Sequence, residues 1–421
     1  MMGGRFALML GGEVVQSAFH FGLNIALVHT LSQADYGLFA IIFLVGGIGL
    51  TYVRALAGVP AGTYVPRRPD HRSSRAYEVT FGSGAVAVSA LFGLGVAAAL
   101  LLMPGANPVE GGAFVGLWCL RSYLRLALFA KRRPREACLG DLAFALGGTA
   151  LGLGLIHGSG MARIDGVFLA LACAHALGCA VSLLALGEPV RVSFGPATRR
   201  RYGALRGKLT WSLVGVTTTN LQGQGQTLLV ALVAGPEAYA PIAASLVLFA
   251  PLRLTAGALL NMLQPEIAAA LASGDARRRR DLVRKAGSLI AGGALAYGLV
   301  LLAAFPFVRS HLFGGRFEGE PFGLITALMW FVSAVSLGYA APRILLETRG
   351  AFRFLALVSA VAAIVGASLV ALLLVASTPA WSILGLLASE AIVLVACSGV
   401  LDRRSARRHP FDSRSHRAGE A

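Results

Sequence analysis

Residues 199–208 read Arg199-Arg-Arg-Tyr-Gly-Ala-Leu-Arg206-Gly-Lys208, and they separate two long apolar runs, 165–187 and 209–234. A helix needs about 20 apolar residues to cross a bilayer core, so each run is long enough for one crossing. The same alternation continues outward in both directions. Apolar runs at 8–30, 37–58, 79–103, 112–130, 139–157 and 165–187 precede the basic segment, and runs at 209–234, 239–263, 286–308, 321–343, 354–376 and 380–401 follow it. The pattern predicts an all-α polytopic membrane protein with about twelve transmembrane helices in two six-helix bundles, residues 1–205 and 206–401. A basic tail, 402–421, is expected to be disordered and cytoplasmic.

The positive charges test the helix count. With alternate loops assigned to the cytoplasm, starting from the N-terminus, the cytoplasmic segments carry 30 Lys and Arg, and the opposite loops carry only Arg163, Arg309 and Arg316. Basic residues accumulate on the cytoplasmic side of membrane proteins, and one missed helix would scramble the alternation beyond it. The expected location is therefore the inner (plasma) membrane, multi-pass, with both termini cytoplasmic. Tyr36, Tyr239 and Trp381 are expected near the outer border, and Tyr77, Tyr202 and Trp211 near the inner one.

Composition narrows the function classes. The chain has 421 residues, is 56% hydrophobic and only 14% charged, against roughly 25% charged in soluble domains. Its net charge of +17 sits in short clusters beside apolar runs, so the pattern excludes nucleic acid as the partner and suggests contact with anionic membrane lipids. The five cysteines are scattered and have no metal-type spacing, so neither a metal nor a cofactor is expected. The nearest approach to a phosphate-binding loop, Gly203-Ala-Leu-Arg-Gly207-Lys208-Leu-Thr, has the wrong spacing. No catalytic signature stands out, and no enzyme is expected. The N-terminal apolar stretch continues past Asn24 without a cleavage pattern and is read as a retained first helix.

The two halves echo each other. Spans 1 and 2 meet at Thr30-Leu-Ser-Gln-Ala-Asp35-Tyr36-Gly, and spans 7 and 8 at Val233-Ala-Gly-Pro-Glu237-Ala-Tyr239-Ala. Further on, span 2 carries Arg54-Ala-Leu-Ala-Gly58 and span 8 carries Arg253-Leu-Thr-Ala-Gly257. Parallel repeats of this kind place substrate at the interface between halves.

Polar groups inside a bilayer are costly and mark cavities or pairs. Arg54, Arg121, Arg125 and Arg253 fall within spans, with Arg121 and Arg125 one turn apart on one face. Read functionally, they form a cationic cavity for a phosphate-bearing substrate, since guanidinium binds phosphate bidentately. Read structurally, they pair with Glu390, Glu13 or helix carbonyls, or extend to the membrane surface. Span 1 carries Glu13, Gln16, His20 and Asn24 on one stripe, and span 7 carries Thr217, Asn220 and Gln224. These stripes are read as the polar lining of a cavity suited to sugar hydroxyls, the other reading being helix–helix hydrogen bonds. Glu390 is the expected charge partner of a buried arginine.

The twelve-span plan, the Leu31-Ser-Gln-Ala-Asp-Tyr36-Gly37-Leu-Phe turn and the following Gly49-Leu-Thr-Tyr-Val-Arg54 resemble the polysaccharide-transporter branch of the MATE/MOP flippase superfamily, which includes the O-antigen and exopolysaccharide repeat-unit flippases. The resemblance implies a MATE/MOP-like fold and translocation of a polyprenyl-pyrophosphate-linked oligosaccharide from the cytoplasmic to the outer leaflet in polysaccharide biosynthesis. It also implies a cationic central cavity, and polysaccharide polymerase and glycosyltransferases as partners. The alternatives are a small-molecule or multidrug antiporter, a membrane-embedded glycan polymerase or ligase, and a scaffold in a synthesis complex.

Overall fold

The computed structural model describes residues 2–65, 71–102, 105–131, 133–158, 162–187 and 191–406. Twelve helical spans follow one another. The first six are α1 (Met2–Thr30), α2 (Gln33–Tyr64), α3 (His71–Leu102), α4 (Pro108–Ala130), α5 (Pro134–Gly158) and α6 (Arg163–Leu186). A linker helix, Pro196–Ala204, leads to α7 (206–234), α8 (236–272), α9 (Ala276–Leu312), α10 (Phe322–Thr348), α11 (Phe352–Ala376) and α12 (Ile383–Ala406). The predicted fold class, twelve helices in two six-helix bundles, is the observed one. Most of the basic tail, 407–421, lies outside the described residues.

Local sequence sets the boundaries. Ser32 caps α2: its hydroxyl accepts from the Asp35 backbone N–H at 3.0 Å and donates to the Asp35 carboxylate at 2.8 Å, which satisfies an N–H that the helix start leaves free. Pro108 opens α4 behind an Asn107 cap. The α7–α8 boundary is Gly235, at φ +86°, a backbone conformation that glycine adopts without a Cβ clash. Among the described residues, three wide π-helical turns interrupt the spans, at Arg54–Gly58, Leu221–Gly225 and Val308–Leu312.

The packing repeats. In the first bundle α1 packs on α5, α2 on α3 and α4, α3 on α4, α4 on α6 and α5 on α6. Each pairing recurs six helices later: α7 on α11, α8 on α9 and α10, α9 on α10, α10 on α12 and α11 on α12. The bundles face each other along a seam made mainly by α2 against the end of α7 and the start of α8.

The seam is tightest at the end away from the basic loops. A Cβ on Gly37 would lie 1.8 Å from the Pro236 carbonyl oxygen, so only glycine permits this approach. Gln33 donates to the Glu237 carbonyl at 3.1 Å, and His29 Nε2 bonds the Leu312 carbonyl at 2.9 Å. Arg316, from the loop before α10, reaches across to the last turn of α1, donating to the Val28 carbonyl at 2.9 Å and to those of His29 and Leu31. Tyr36 and Tyr239, expected at the lipid border, are instead buried in this seam, and the Tyr36 hydroxyl donates to Asn24. A buried phenol needs such a partner. Trp211 and Trp381 do remain exposed.

Candidate functional site

A cavity of about 550 Å³ opens between the bundles, where α1 and α2 face α7, α8, α10 and α12. Its size lies within the range of ligand pockets, about 300–1,000 Å³. Its polar lining comes from Ser17, His20 and Asn24 of α1, Gln224 and Thr227 of α7, Arg253 of α8, Ser333 and Ser336 of α10 and Glu390 of α12. Phe43, Leu44, Leu246 and Val332 supply apolar wall.

Arg253 is the cavity's open cation. It is exposed, it donates from Nη2 to the Leu246 carbonyl at 3.1 Å, and among the described residues it has no carboxylate partner. Glu390 is 7% exposed, and both its oxygens are engaged by neutral groups: Gln222 Nε2 donates to one at 2.7 Å and the Tyr339 hydroxyl to the other at 2.7 Å. None of Arg54, Arg121, Arg125 and Arg253 bonds Glu390, and the arginine whose charge acts on it is Arg343 of α10. The carboxylate is held by an amide and a phenol instead.

Arg121 and Arg125 lie elsewhere, inside the first bundle. Arg121 is 3% exposed and donates from Nη1 to Asp141 Oδ1 at 2.9 Å, from Nη2 to Gln16 at 2.7 Å and from Nε to His175 Nδ1 at 3.1 Å. Arg125 donates to Asp141 Oδ2 at 2.8 Å and to Glu13 at 2.7 Å. Two cations thus share one buried aspartate, with Glu13 supplying the second negative charge. The Arg121 guanidinium also lies 4.0 Å from the Phe144 ring centroid, and the other ring contacts of Phe144 include His20 at 5.6 Å and His175 at 4.3 Å. Phe144 thus links His20, which lines the cavity, to the ion network behind it.

The predicted stripes divide in the same way. On α1, His20 and Asn24 face the cavity, while Glu13 and Gln16 turn to the ion network. On α7, Gln224 faces the cavity, whereas Thr217 meets the Tyr52 hydroxyl at 2.8 Å and Asn220 donates to Thr51 at 2.6 Å. Those two bonds join the bundles toward the basic end. Arg54 is exposed, within the wide turn of α2, and does not line the cavity. It follows Tyr36 by 18 residues, whereas Arg253 follows Tyr239 by 14, so it sits one helical turn nearer the basic end.

Sequence reasoning missed Asp141, His175, Tyr339 and the two cavity serines of α10. Asp141 had a signal, being the only carboxylate in the 139–157 run. Its position near the edge of that run reads as surface until α1 and α4 are folded against it.

No known sequence family matches the chain, and no curated protein matches it. Solved structures do. An inward-facing multidrug-resistance MATE transporter of the MOP superfamily superposes with a TM-score of 0.70 at 12% identity, over 93% of this chain and 95% of that one. An outward-facing structure of a transporter so described gives 0.62 at 14%, over 95% and 94%. A eukaryotic MATE transporter gives 0.64 at 14%, over 95% and 93%. With a central cavity between two like bundles, the chain has the fold of the MATE transporters of the MOP superfamily.

Proposed function

We propose that the protein is an alternating-access membrane transporter that carries a polyprenyl-pyrophosphate-linked oligosaccharide across the bilayer. The observation that carries this reading is Arg253, an unpaired guanidinium open to a cavity whose other polar groups are mostly hydroxyls, amides and an imidazole. A diphosphate in hydrocarbon lacks any compensating partner. Arg253 offers it charge-assisted hydrogen bonds, while Asn24, Gln224 and the serines offer partners to sugar hydroxyls. Arg121 and Arg125 take no part in holding phosphate, because Asp141 and Glu13 already match their charge. The sealed end at Gly37, Gln33 and Arg316 supports a form that loads from the basic end, and the higher likeness to the inward-facing structure supports the same direction. Rocking of the two bundles then exposes the cavity on the other side.

The test is leaflet-specific labelling of lipid-linked glycan in proteoliposomes. Hydrogen bonds to a charged group contribute about 1.5–3 kcal/mol, so Arg253→Gln is expected to weaken substrate binding roughly tenfold to a hundredfold while leaving the protein folded. Native-rate flipping by Arg253→Gln would remove the phosphate reading.

A second reading is a small-molecule or multidrug antiporter. It is favoured by Glu390, a cavity carboxylate held by an amide and a phenol and in no ion pair among the described residues, and by the multidrug transporters among the similar structures. Under that reading the purified protein binds cationic dyes, Glu390→Gln abolishes the binding, and lipid-linked glycan does not compete.

A further inference from the structure

The connection between the bundles, residues 191–208, holds six Lys and Arg and no carboxylate. Among the described residues, none of the six forms an ion pair. Another dense basic segment, 277–285, is different. It contains Asp281, begins behind the Asp275 cap, and has Arg278 held 2.8 Å from Glu266.

The connection is pinned to α3. Ser83 Oγ accepts from the Ser193 N–H at 2.8 Å, its own proton is shared between the Val79 carbonyl at 2.7 Å and the Ser193 carbonyl at 3.1 Å, and Arg201 donates to the Ala76 carbonyl at 3.4 Å. Tyr202 drops its ring edge-on to Phe81, with centroids 6.0 Å apart, and its hydroxyl fills the space where a Cβ on Gly84 would stand. Two hollows share Gly84, Ala87 and Tyr202 as lining. One, about 390 Å³, lies between Leu56 and Val88 of the first bundle and Leu209 and Leu213 of the second, with Arg206 in its lining. The other, about 380 Å³, is lined by Phe194 and Arg199. Phe194, in the lining of the second hollow, is about half exposed, as suits an aromatic side chain at a lipid–water border.

An apolar hollow with an unpaired guanidinium has the chemistry of a phospholipid cast in reverse: hydrocarbon space for an acyl chain and a cation for the phosphate. We propose that this seam binds a resident anionic phospholipid, its phosphate held by Arg199 and Arg206 and an acyl chain lodged beside Tyr202 between α3 and α7. Neutral zwitterionic lipid satisfies the hollows but brings no net charge to the six cations. Free phosphate satisfies the cations but leaves the hollows empty.

The test uses the full chain purified in detergent, with lipid retention measured by native mass spectrometry during titration with phosphatidylglycerol, with phosphatidylcholine of the same chains, and with inorganic phosphate. Phosphatidylglycerol is expected to be retained in preference to both. Each surface Lys or Arg adds to anionic-lipid attraction, so Arg199→Gln with Arg206→Gln is expected to weaken phosphatidylglycerol about tenfold or more. Ala87→Phe occupies both hollows from their exposed side and is expected to lower retention without changing charge. Arg277→Gln with Arg279→Gln removes the same charge elsewhere and is expected to leave retention near native. Equal retention of the two lipids, equal loss from both arginine pairs, or native retention by the Arg199/Arg206 variant would each overturn the proposal. Elution as a single native-like species, required of every variant, separates loss of the site from loss of the fold.

Discussion

The two bundles treat charge within their spans in opposite ways. In the first, Arg121, Arg125, Asp141 and Glu13 close on one another, and Gln16 and His175 take up further donors of Arg121. In the second, Arg253 and Glu390 are held by carbonyl, amide and phenol groups and remain facing the cavity. A buried ion pair offsets the desolvation of its members and has little left for a ligand. A charge anchored by neutral groups keeps its net field. The location of an arginine within a span therefore says less about function than the identity of its partner does.

The contrast can be broken most sharply at Asp141, which is 1% exposed and bonds both arginines. Removing one member of a buried pair costs roughly 3–5 kcal/mol. Asp141→Ala is expected to lower the unfolding temperature strongly in fluorescence-detected size-exclusion heating, whatever its effect on transport. An unchanged melting curve would show that the network is not holding the bundle. Glu390→Gln comes next. The amide keeps one acceptor oxygen but turns an N–H toward Gln222 or Tyr339, and a mismatched buried group costs about 1–3 kcal/mol. A modest drop in stability is expected, together with altered substrate preference. A stability loss as large as that of Asp141→Ala would erase the distinction between the bundles. The smallest effect is expected from Glu13→Gln, because the Glu13 side chain is half exposed and such pairs contribute about 1 kcal/mol or less. Its melting should stay close to native, and a collapse there would place the network's weight on the wrong carboxylate.

The fold was legible because its signals are local and additive. Twelve apolar runs, the charge alternation and the tight turns at Ser32 and Gly235 each constrain the path independently. Besides α12, whose apolar stretch Ile383–Gly399 is shorter, the nine described helices long and apolar enough to cross a membrane do not include α1 or the Ala250–Ala272 part of α8. Those helices carry Glu13, Gln16, His20, Asn24 and Arg253, and the residues that make them interesting also dilute their hydropathy. The cavity was half legible. A stripe with helical spacing identifies one face of α1 but not the point along that face where the neighbour changes. His20 and Asn24 face the cavity, while Glu13 and Gln16 meet α4. On α7 the same change occurs between Asn220, which bonds α2, and Gln224, which faces the cavity. The partners that decide the outcome, Asp141 for Arg121 and Tyr339 for Glu390, lie 20 and 51 residues away in sequence, and no periodicity links them.

Arg316 caps the last turn of α1 by gripping main-chain oxygens rather than side chains. Every amino acid at positions 28, 29 and 31 presents the same oxygen, so substitutions there leave this clamp's acceptors intact. Its donor side has no such redundancy, because it depends on a single guanidinium. A drift of residue types around the turn is therefore compatible with a working lock, whereas one change at 316 unfastens it.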